Sequence, residues 1–211
     1  MENGCNNKNK WLRWGVAALY VVLCGLYFSP LDIPYKLVYP LSWLTLSSLF
    51  CHTPMLTLAL ACSALGDWFG AAGGLLWQIG AFALAQICYL LLLLRRREGK
   101  VTVARVAVAA LIPLALMVVT AIYFVPAINE GVVKVGVVVY ALLIGAMTTV
   151  ARLSKSWLIE IGAVLFMLSD FMLAQQIFVA SNPQLLRLSL AFYFVGQLLL
   201  WLGLCGEKRR R

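Results

Sequence analysis

Residues 75–97 read LLWQIGAFALAQICYLLLLLRRR, a run of twenty uncharged residues that ends in three arginines. A helix of about 20 apolar residues is long enough to cross the hydrocarbon core of a bilayer. Arginines directly after such a helix are typical of its cytoplasmic boundary. The stretch therefore predicts a membrane-spanning helix and also the direction in which it runs.

The rest of the chain has the same character, since 63% of its 211 residues are hydrophobic and only 12% are charged. A soluble domain of this size has too little interior to bury so many apolar side chains. The apolar runs are continuous and do not alternate, which favours helices over a barrel. We predict an all-α integral membrane protein in one membrane-embedded domain, with eight transmembrane helices at about Trp11–Ser29, Lys36–Phe50, Met55–Phe69, Leu75–Leu94, Thr102–Ile122, Val132–Val150, Trp157–Phe178 and Leu185–Cys205.

The basic residues predict the orientation of these spans. If the segments between spans alternate across the membrane, 14 of the 17 Lys and Arg residues fall on one side, and only Lys36, Lys134 and Arg187 fall on the other. The positive-inside rule places the rich side in the cytoplasm, together with both termini. The net charge of +9 is explained in this way and calls for no nucleic-acid partner. In a bacterium the membrane would be the plasma (inner) membrane.

The cysteines and the histidine predict neither a metal site nor a disulfide. Six Cys are scattered along the chain without a Cys-x-x-Cys pair, and most lie in or beside apolar spans, where Cys behaves as a small hydrophobic residue. The single histidine, His52, lies in a predicted loop without a second ligand nearby in sequence. We therefore expect no metal at the site.

Two aspartates lie deep inside predicted spans, Asp67 in the third and Asp170 in the seventh. A charged Asp at the centre of a membrane helix costs about 2.5–3.5 kcal/mol on insertion scales, so such residues usually mark functional sites. The alternative is a polar contact that only holds two helices together. Both residues lie about 18–20 Å from the predicted cytoplasmic boundary at 1.5 Å per residue, so the two carboxyls could meet.

The surroundings of the two aspartates also resemble each other. Each Asp-bearing span is followed by a span with a buried amide, Gln86 in one case and Gln197 in the other. This pattern suggests the hypothesis of two four-helix repeats in parallel orientation. Because both amides lie slightly deeper than the carboxyls, we expect all four side chains to form one polar pocket.

Three motifs occur in these spans: Ser63-Ala-Leu-Gly-Asp67, then Ile79-Gly-Ala-Phe82 with Gln86-x-x-Tyr89, and Gly162-Ala-Val-Leu-Phe166-x-x-Ser-Asp170 with Ala174. In these motifs the chain resembles the YhhN-type membrane proteins, a family that includes the lysoplasmalogenases. The resemblance implies an ether hydrolase that cleaves the vinyl ether bond of lysoplasmalogens into a fatty aldehyde and a glycerophospho-base. The family's two aspartates match Asp67 and Asp170.

The resemblance and the chemistry together define a candidate site. We expect Asp67 and Asp170 to be catalytic, with Asp170 as the neutral acid because its neighbours are the more apolar. The expected substrate-binding residues are Gln86, Gln197, Ser63, Ser169 and Tyr89. No metal or organic cofactor is needed, and the expected partner is a lysophospholipid that enters from the bilayer. The oligomeric state is left open.

Two departures from the family and two other functions bear on this interpretation. Gln86 stands where the family often has His, and Tyr39-Pro40 stands near a usual Lys-Pro pair, so the substrate could differ. Intramembrane acids and a repeat are also features of a small proton-coupled transporter. A non-catalytic membrane assembly protein would use the aspartates only to hold helices together.

Overall fold

The fold is known from a computed structural model that describes residues 2–97 and 99–206, with side chains described for 11–97 and 99–205. In this part of the chain every regular element is a helix, so the predicted all-α fold class is confirmed. The helices are α1 (Glu2–Phe28), α2 (Val38–Ser48), α3 (Pro54–Ala71), α4 (Leu75–Arg96), α5 (Val103–Val119), α6 (Gly131–Arg152), α7 (Trp157–Phe178) and α8 (Pro183–Gly206).

Local sequence explains where the helices end. A short 3₁₀ turn, Leu49–Cys51, follows α2 and stops at His52, whose φ of 50° is left-handed. Pro54 then begins α3, where its missing N–H is not needed. Gly73, at φ 78°, reverses the chain between α3 and α4. Within residues 2–97 and 99–206, α5 is the helix that continues as a π-helical segment, Thr120–Phe124.

Among the described residues, six helices are long and apolar enough to span a membrane: α1, α4, α5 with its extension to Ala127, α6, α7 and α8. This supports an integral membrane protein. Helix α2 has only 11 residues, and α3, with 18, is not one of the six. The predicted count of eight spans is thus not confirmed and stays a prediction, as does the cytoplasmic location of the termini. The basic residues Lys208–Arg211 lie outside the described residues.

Reporter fusions would test the predicted topology. We expect a reporter inserted at residues 95–100 to be cytoplasmic, because Arg95, Arg96 and Arg97 retain that segment on the inner side. A reporter at residues 126–131 should be on the opposite side, because α5 crosses the membrane between the two sites. If both reporters have the same location, the span count is wrong.

Two helix pairs form the centre of the bundle, α3 with α4 and α7 with α8. The second pair is very close at two glycines: a Cβ on Gly196 would lie 2.9 Å from the carbonyl oxygen of Gly162 and 3.0 Å from the nitrogen of Phe166. Small residues allow such close backbone approach in membrane bundles. Helix α5 is peripheral, since only Ala109 and Pro113 of its residues are buried.

One expectation about the cysteines is wrong, because Cys51 and Cys205 form a disulfide with a Cα–Cα distance of 5.2 Å. The bond joins the turn after α2 to the end of α8, across 154 residues of sequence. Sequence spacing did not indicate the pair because the two cysteines meet only through the packing of α8 beside α2. Cys24, Cys62 and Cys88 are free thiols.

The disulfide leads to a prediction about stability. Cys51→Ser should lower the free energy of unfolding by about 2–4 kcal/mol, because the bond restricts the unfolded chain over a long loop. The measurement is thermal unfolding in detergent, with and without reductant, and the variant should no longer respond to reductant. The bond lies at the arginine-rich end, where a reducing cytoplasm is predicted. An intact mass equal to that of the fully reduced chain would contradict the bond.

Candidate active site

Asp67 lies in the interior of the bundle and is only 2% exposed. Helix α3 carries it, and its hydrogen-bond donor comes from α8: the Tyr193 hydroxyl donates to Asp67 Oδ2 at 3.0 Å. The preceding residue, Gly66, faces the ring of Phe82, which a Cβ at that position would approach to 2.9 Å. A larger residue at Gly66 would therefore displace the aromatic ring beside Asp67.

Asp170 lies on α7, one turn after Phe166, which contacts Gly196 of α8. Its side chain is half-buried. The Tyr140 hydroxyl of α6 donates a hydrogen bond to its Oδ2. The Ser169 hydroxyl lies 3.4 Å from Oδ1 but makes its shorter bond, 2.7 Å, to the carbonyl oxygen of Phe166. Each aspartate thus receives one tyrosine hydroxyl from a neighbouring helix.

The two carboxyls are not joined by a hydrogen bond among the described side chains. Phe82 contacts Gly66 beside Asp67 and also lines the groove that contains Asp170. The expected pair of carboxyls therefore stays a prediction, and the Phe82 ring is the side chain that adjoins the surroundings of both.

The two amides have different partners. Gln86 Nε2 donates to the Tyr140 hydroxyl at 3.3 Å, which links this amide to Asp170. Gln197 has a separate network, in which the Tyr89 hydroxyl donates to its Oε1 at 2.7 Å and its Nε2 donates to Ser63 Oγ at 3.3 Å. Of the predicted substrate-binding residues, Gln86 and Ser169 adjoin Asp170, whereas Gln197, Ser63 and Tyr89 bond to one another.

These partners are not repeated symmetrically. Asp67 of α3 is bonded by α8, whereas Asp170 of α7 is bonded by α6. The hypothesis of two four-helix repeats therefore rests on the sequence pattern and the two close helix pairs, and the hydrogen bonds add no support to it.

Two apolar grooves meet at Asp170 and Tyr140. One lies between α5, α6 and α7. The other lies between α4, α6 and α7 and extends along them to Leu75 and Phe178 at the helix ends. Val137 and Ala174 line both grooves as well.

The exposure of the two carboxyls differs from expectation. Asp170 was expected in the drier setting, yet Asp67 is the buried residue and Asp170 is the one that lines both grooves. The apolar residues beside Asp170 in sequence, Phe171 and Leu173, line the grooves themselves. The apolar sequence neighbours of Asp170 therefore marked the wall of a groove between helices and not a fully buried carboxyl.

Two residues of the site, Tyr140 and Tyr193, were not predicted from the sequence. Each donates a hydrogen bond to one aspartate, Tyr140 from α6 to Asp170 and Tyr193 from α8 to Asp67. The side chain of Tyr193 is 3% exposed. Tyr193 lies one turn before Gln197, a spacing that could have drawn attention to it. Tyr140 stands alone in an apolar run, and no comparable signal marks it. Within the described chain, no three His, Cys, Asp or Glu side chains come together as a metal site would require.

Comparison with known proteins gives one match. A family model described as the YhhN family matches residues 27–204, which is well over half of the chain and includes every residue of the site. No curated protein and no solved structure matches the chain.

Proposed function

Because the chain belongs to the YhhN family, we propose that it is a membrane hydrolase that cleaves the vinyl ether bond of lysoplasmalogens. The products are a fatty aldehyde and a glycerophospho-base. One observation carries the proposal: a carboxyl group, Asp170, lies where two apolar grooves meet, and the ring of Phe82 lines one of these grooves and also faces Gly66, next to a second carboxyl, Asp67. A lipid in these grooves would bring the vinyl ether bond, which lies next to its headgroup, close to the carboxyl of Asp170.

The reaction needs a proton donor and a nearby negative charge. Neutral Asp170 donates its proton to the β-carbon of the vinyl ether, and the electron pair of the double bond forms the new C–H bond. The α-carbon and the ether oxygen then share the positive charge of an oxocarbenium ion. Two carboxyls in a water-poor site suit this step, because one keeps its proton while the other ionises. The logic resembles that of glycoside hydrolysis.

Water completes the reaction. Its oxygen bonds to the α-carbon, and its proton returns to the Asp170 carboxylate. The hemiacetal then breaks its C–O bond to glycerol, whose oxygen takes the hydroxyl proton as the aldehyde C=O forms. Asp170 is thus protonated again at the end of the cycle, and the reaction needs no oxidant or reductant.

The surroundings assign different tasks to the two aspartates. Asp170 lines the grooves, so it is the residue that can reach a lipid, and its tyrosine donor holds the carboxyl in place. Asp67 lines neither groove, and the hydrogen bond donated by Tyr193 favours its ionised form, so we assign to it the negative charge that stabilises the cation. We therefore keep Asp170 as the acid because a lipid in the grooves can reach it, and not because its surroundings are the drier of the two.

The grooves suit a lipid that arrives sideways from the bilayer. Their walls are almost entirely apolar, and the polar side chains beside Asp170 and Tyr140 are Thr120 and Gln78. The peripheral helix α5 forms one wall, and its π-helical segment begins at Thr120. π-Helical segments frequently occur at functional sites. We propose that the lipid enters between α5 and α7.

The other two functions have less support. A carrier often has broken helices at its midplane site, but α3 passes Gly66 and α7 passes Asp170 without a break. A role limited to holding helices together fits Asp67, whose carboxyl bonds α3 to α8. It leaves unexplained why Asp170, which Tyr140 bonds to α6, also lines two grooves.

The direct test is an aldehyde assay with purified protein. Lysoplasmalogen and its saturated alkyl-ether analogue are presented in mixed micelles, and aldehyde release is followed over time. We expect aldehyde from the vinyl ether alone, since the saturated ether has no double bond to protonate. Absence of aldehyde from both lipids would refute the proposal, and proton flux in proteoliposomes would then test the carrier.

A further inference from the structure

The groove between α4, α6 and α7, which we call the α4 groove, contains a glutamine that has no role in the proposed reaction. Gln78 of α4 lines this groove together with Asp170 and Tyr140. Its side chain is half-buried, and its amide makes no hydrogen bond with the described residues. Covering this amide with a lipid is unfavourable unless the lipid supplies a hydrogen-bond partner. A lipid that fills the α4 groove therefore needs a polar group beside Gln78.

The groove between α5, α6 and α7, which we call the α5 groove, has no such free group among its described lining residues. Apart from Asp170 and Tyr140, its polar side chain is that of Thr120. The Thr120 hydroxyl already donates to the carbonyl oxygen of Leu116 at 2.9 Å. The α5 groove thus suits an apolar chain, and the α4 groove suits a segment that ends in a polar group. A lipid is divided in the same way on the two sides of its vinyl ether.

A glycine of α3 leaves room for the Gln78 amide. A Cβ at Gly70 would lie 2.5 Å from Nε2 of Gln78 and 2.8 Å from its Cδ. Gly70 follows Asp67 by three residues, about one turn of α3. The amide therefore adjoins the helix that carries one aspartate and lines the groove that contains the other.

Helical geometry places Gln78 nearer to the end of the α4 groove than Asp170. Leu75 of α4 and Phe178 of α7 both line that end and pack against the same apolar cluster at the beginning of α6. Asp170 lies about 12 Å before Phe178 along α7, and Gln78 lies about 4.5 Å after Leu75 along α4. Their Cα levels thus differ by roughly 7–8 Å. Side chains lean towards the beginning of their own helix, and α4 and α7 run in opposite directions, so the amide and the carboxyl are roughly 9–11 Å apart.

We propose that Gln78 Nε2 donates a hydrogen bond to the phosphate of the lipid, whose alkyl chain lies in the α5 groove and whose phosphate end lies in the α4 groove. The inference rests on the proposed function for the identity of the lipid. In a lysoplasmalogen seven bonds separate the β-carbon that takes the proton from the phosphorus atom, roughly 9 Å when extended. The sn-2 hydroxyl oxygen is five bonds away, roughly 5–6 Å. The distance from Asp170 to the amide therefore matches the phosphate and not the hydroxyl.

Binding of lipids that cannot react tests this contact. The probes are two saturated ether lipids with the same alkyl chain, an alkylglycerophosphocholine and the alkylglycerol that lacks the phosphocholine group. Both are presented to the purified protein in micelles of an uncharged detergent. We expect Gln78→Leu to bind the phospholipid about tenfold more weakly than the parent, as the loss of one hydrogen bond to an anion allows. Its affinity for the alkylglycerol should stay within about twofold of the parent.

Gln78→Glu separates a phosphate contact from a structural one. Glutamate keeps the shape of the side chain but has no N–H to donate. It should weaken phospholipid binding at least as much as Gln78→Leu, and it serves if Gln78→Leu does not fold. A contact that only packs α4 against Gly70 would tolerate this change. Phospholipid binding by Gln78→Glu that equals that of the parent would overturn the inference.

Gln175→Leu is the matched control. Gln175 is also a half-buried glutamine near the same end of the bundle, three residues before Phe178, but it lines neither groove. Its substitution should leave the affinity for both lipids unchanged. If Gln175→Leu weakens phospholipid binding as much as Gln78→Leu does, the phosphate is not bound at Gln78.

Glycerophosphocholine, the polar part without a chain, distinguishes a lipid phosphate from a soluble phosphate ester. We expect it not to displace the phospholipid at equal concentration, because the chain supplies most of the apolar area that is buried on binding. Displacement at equal concentration would contradict the placement of the lipid in both grooves.

The same preparations separate this inference from the proposed function. If no aldehyde forms from lysoplasmalogen, the proposed hydrolysis fails, while the binding comparison still decides the role of Gln78. If aldehyde forms, but Gln78→Leu and Gln78→Glu bind the phospholipid as the parent does, hydrolysis stands and the phosphate contact is refuted.

Discussion

Asp170→Asn is expected to lower the rate of aldehyde release by about 10²–10⁴-fold, the range that general acid catalysis contributes. Asparagine has nearly the same size and can still accept from Tyr140, but it has no carboxylic proton to give to the β-carbon. The rate is measured at saturating lysoplasmalogen, and the binding of a saturated ether analogue is measured in parallel. Affinity should change little while turnover falls.

Asp67→Asn should also remove most turnover, because the oxocarbenium ion then loses its nearby negative charge. The double variant should be little worse than either single variant, since residues that act as a unit are not additive. The control is Asp32→Asn, an exposed acidic residue outside the site. If either site variant folds and keeps a rate within a few-fold of the parent, the aspartate pair is not the catalytic unit.

Gly196→Leu should lower the free energy of unfolding by about 4–5 kcal/mol, at the upper end for single substitutions. The first side-chain carbon would already lie 2.9 Å from a backbone oxygen of α7, and backbone atoms cannot move aside as a flexible side chain can. Helices α7 and α8 would have to separate, and they position Asp170 and Tyr193. Thermal unfolding in detergent measures the loss.

Gly80→Leu is the matched control for this experiment. Gly80 is also in a helix interior, but it is exposed, and a Cβ there would meet nothing within 4 Å. Its substitution should change the stability by less than about 1 kcal/mol. Equal losses at Gly80 and Gly196 would mean that the close contact of α7 with α8 does not limit stability.

The aspartates could be found from the sequence because the free-energy cost of placing a carboxyl in an apolar helix depends on that helix alone. A carboxyl in the middle of an apolar helix is expensive whatever its neighbours are, so Asp67 and Asp170 are visible in a single chain. Their tyrosine partners could not be found in this way. A tyrosine in an apolar run carries little cost, and the contact of Tyr140 with Asp170 depends on how α6 and α7 are rotated against each other.

The lengths of the helices were predicted with mixed success for a similar reason. Long apolar runs such as Trp157–Phe178 begin and end where expected, because turn residues mark both ends. The predicted span Lys36–Phe50 contains a helix of only 11 residues, Val38–Ser48. Hydrophobicity indicates where a segment avoids water, but it does not fix how much of that segment is helical.

The Cys51–Cys205 bond makes residues 51–205 a closed covalent ring, and every side chain assigned to the two hydrogen-bonded networks belongs to it. The segment that contains α1 and α2 precedes residue 51, so it is covalently joined to this ring at Cys51 alone. A protease that cuts once in the segment 97–102 would linearise the ring without releasing a fragment, as long as the sulfurs stay oxidised. Such a cut would leave two polypeptides, one with Asp67 and the other with Asp170, that only the Cys51–Cys205 bond joins covalently.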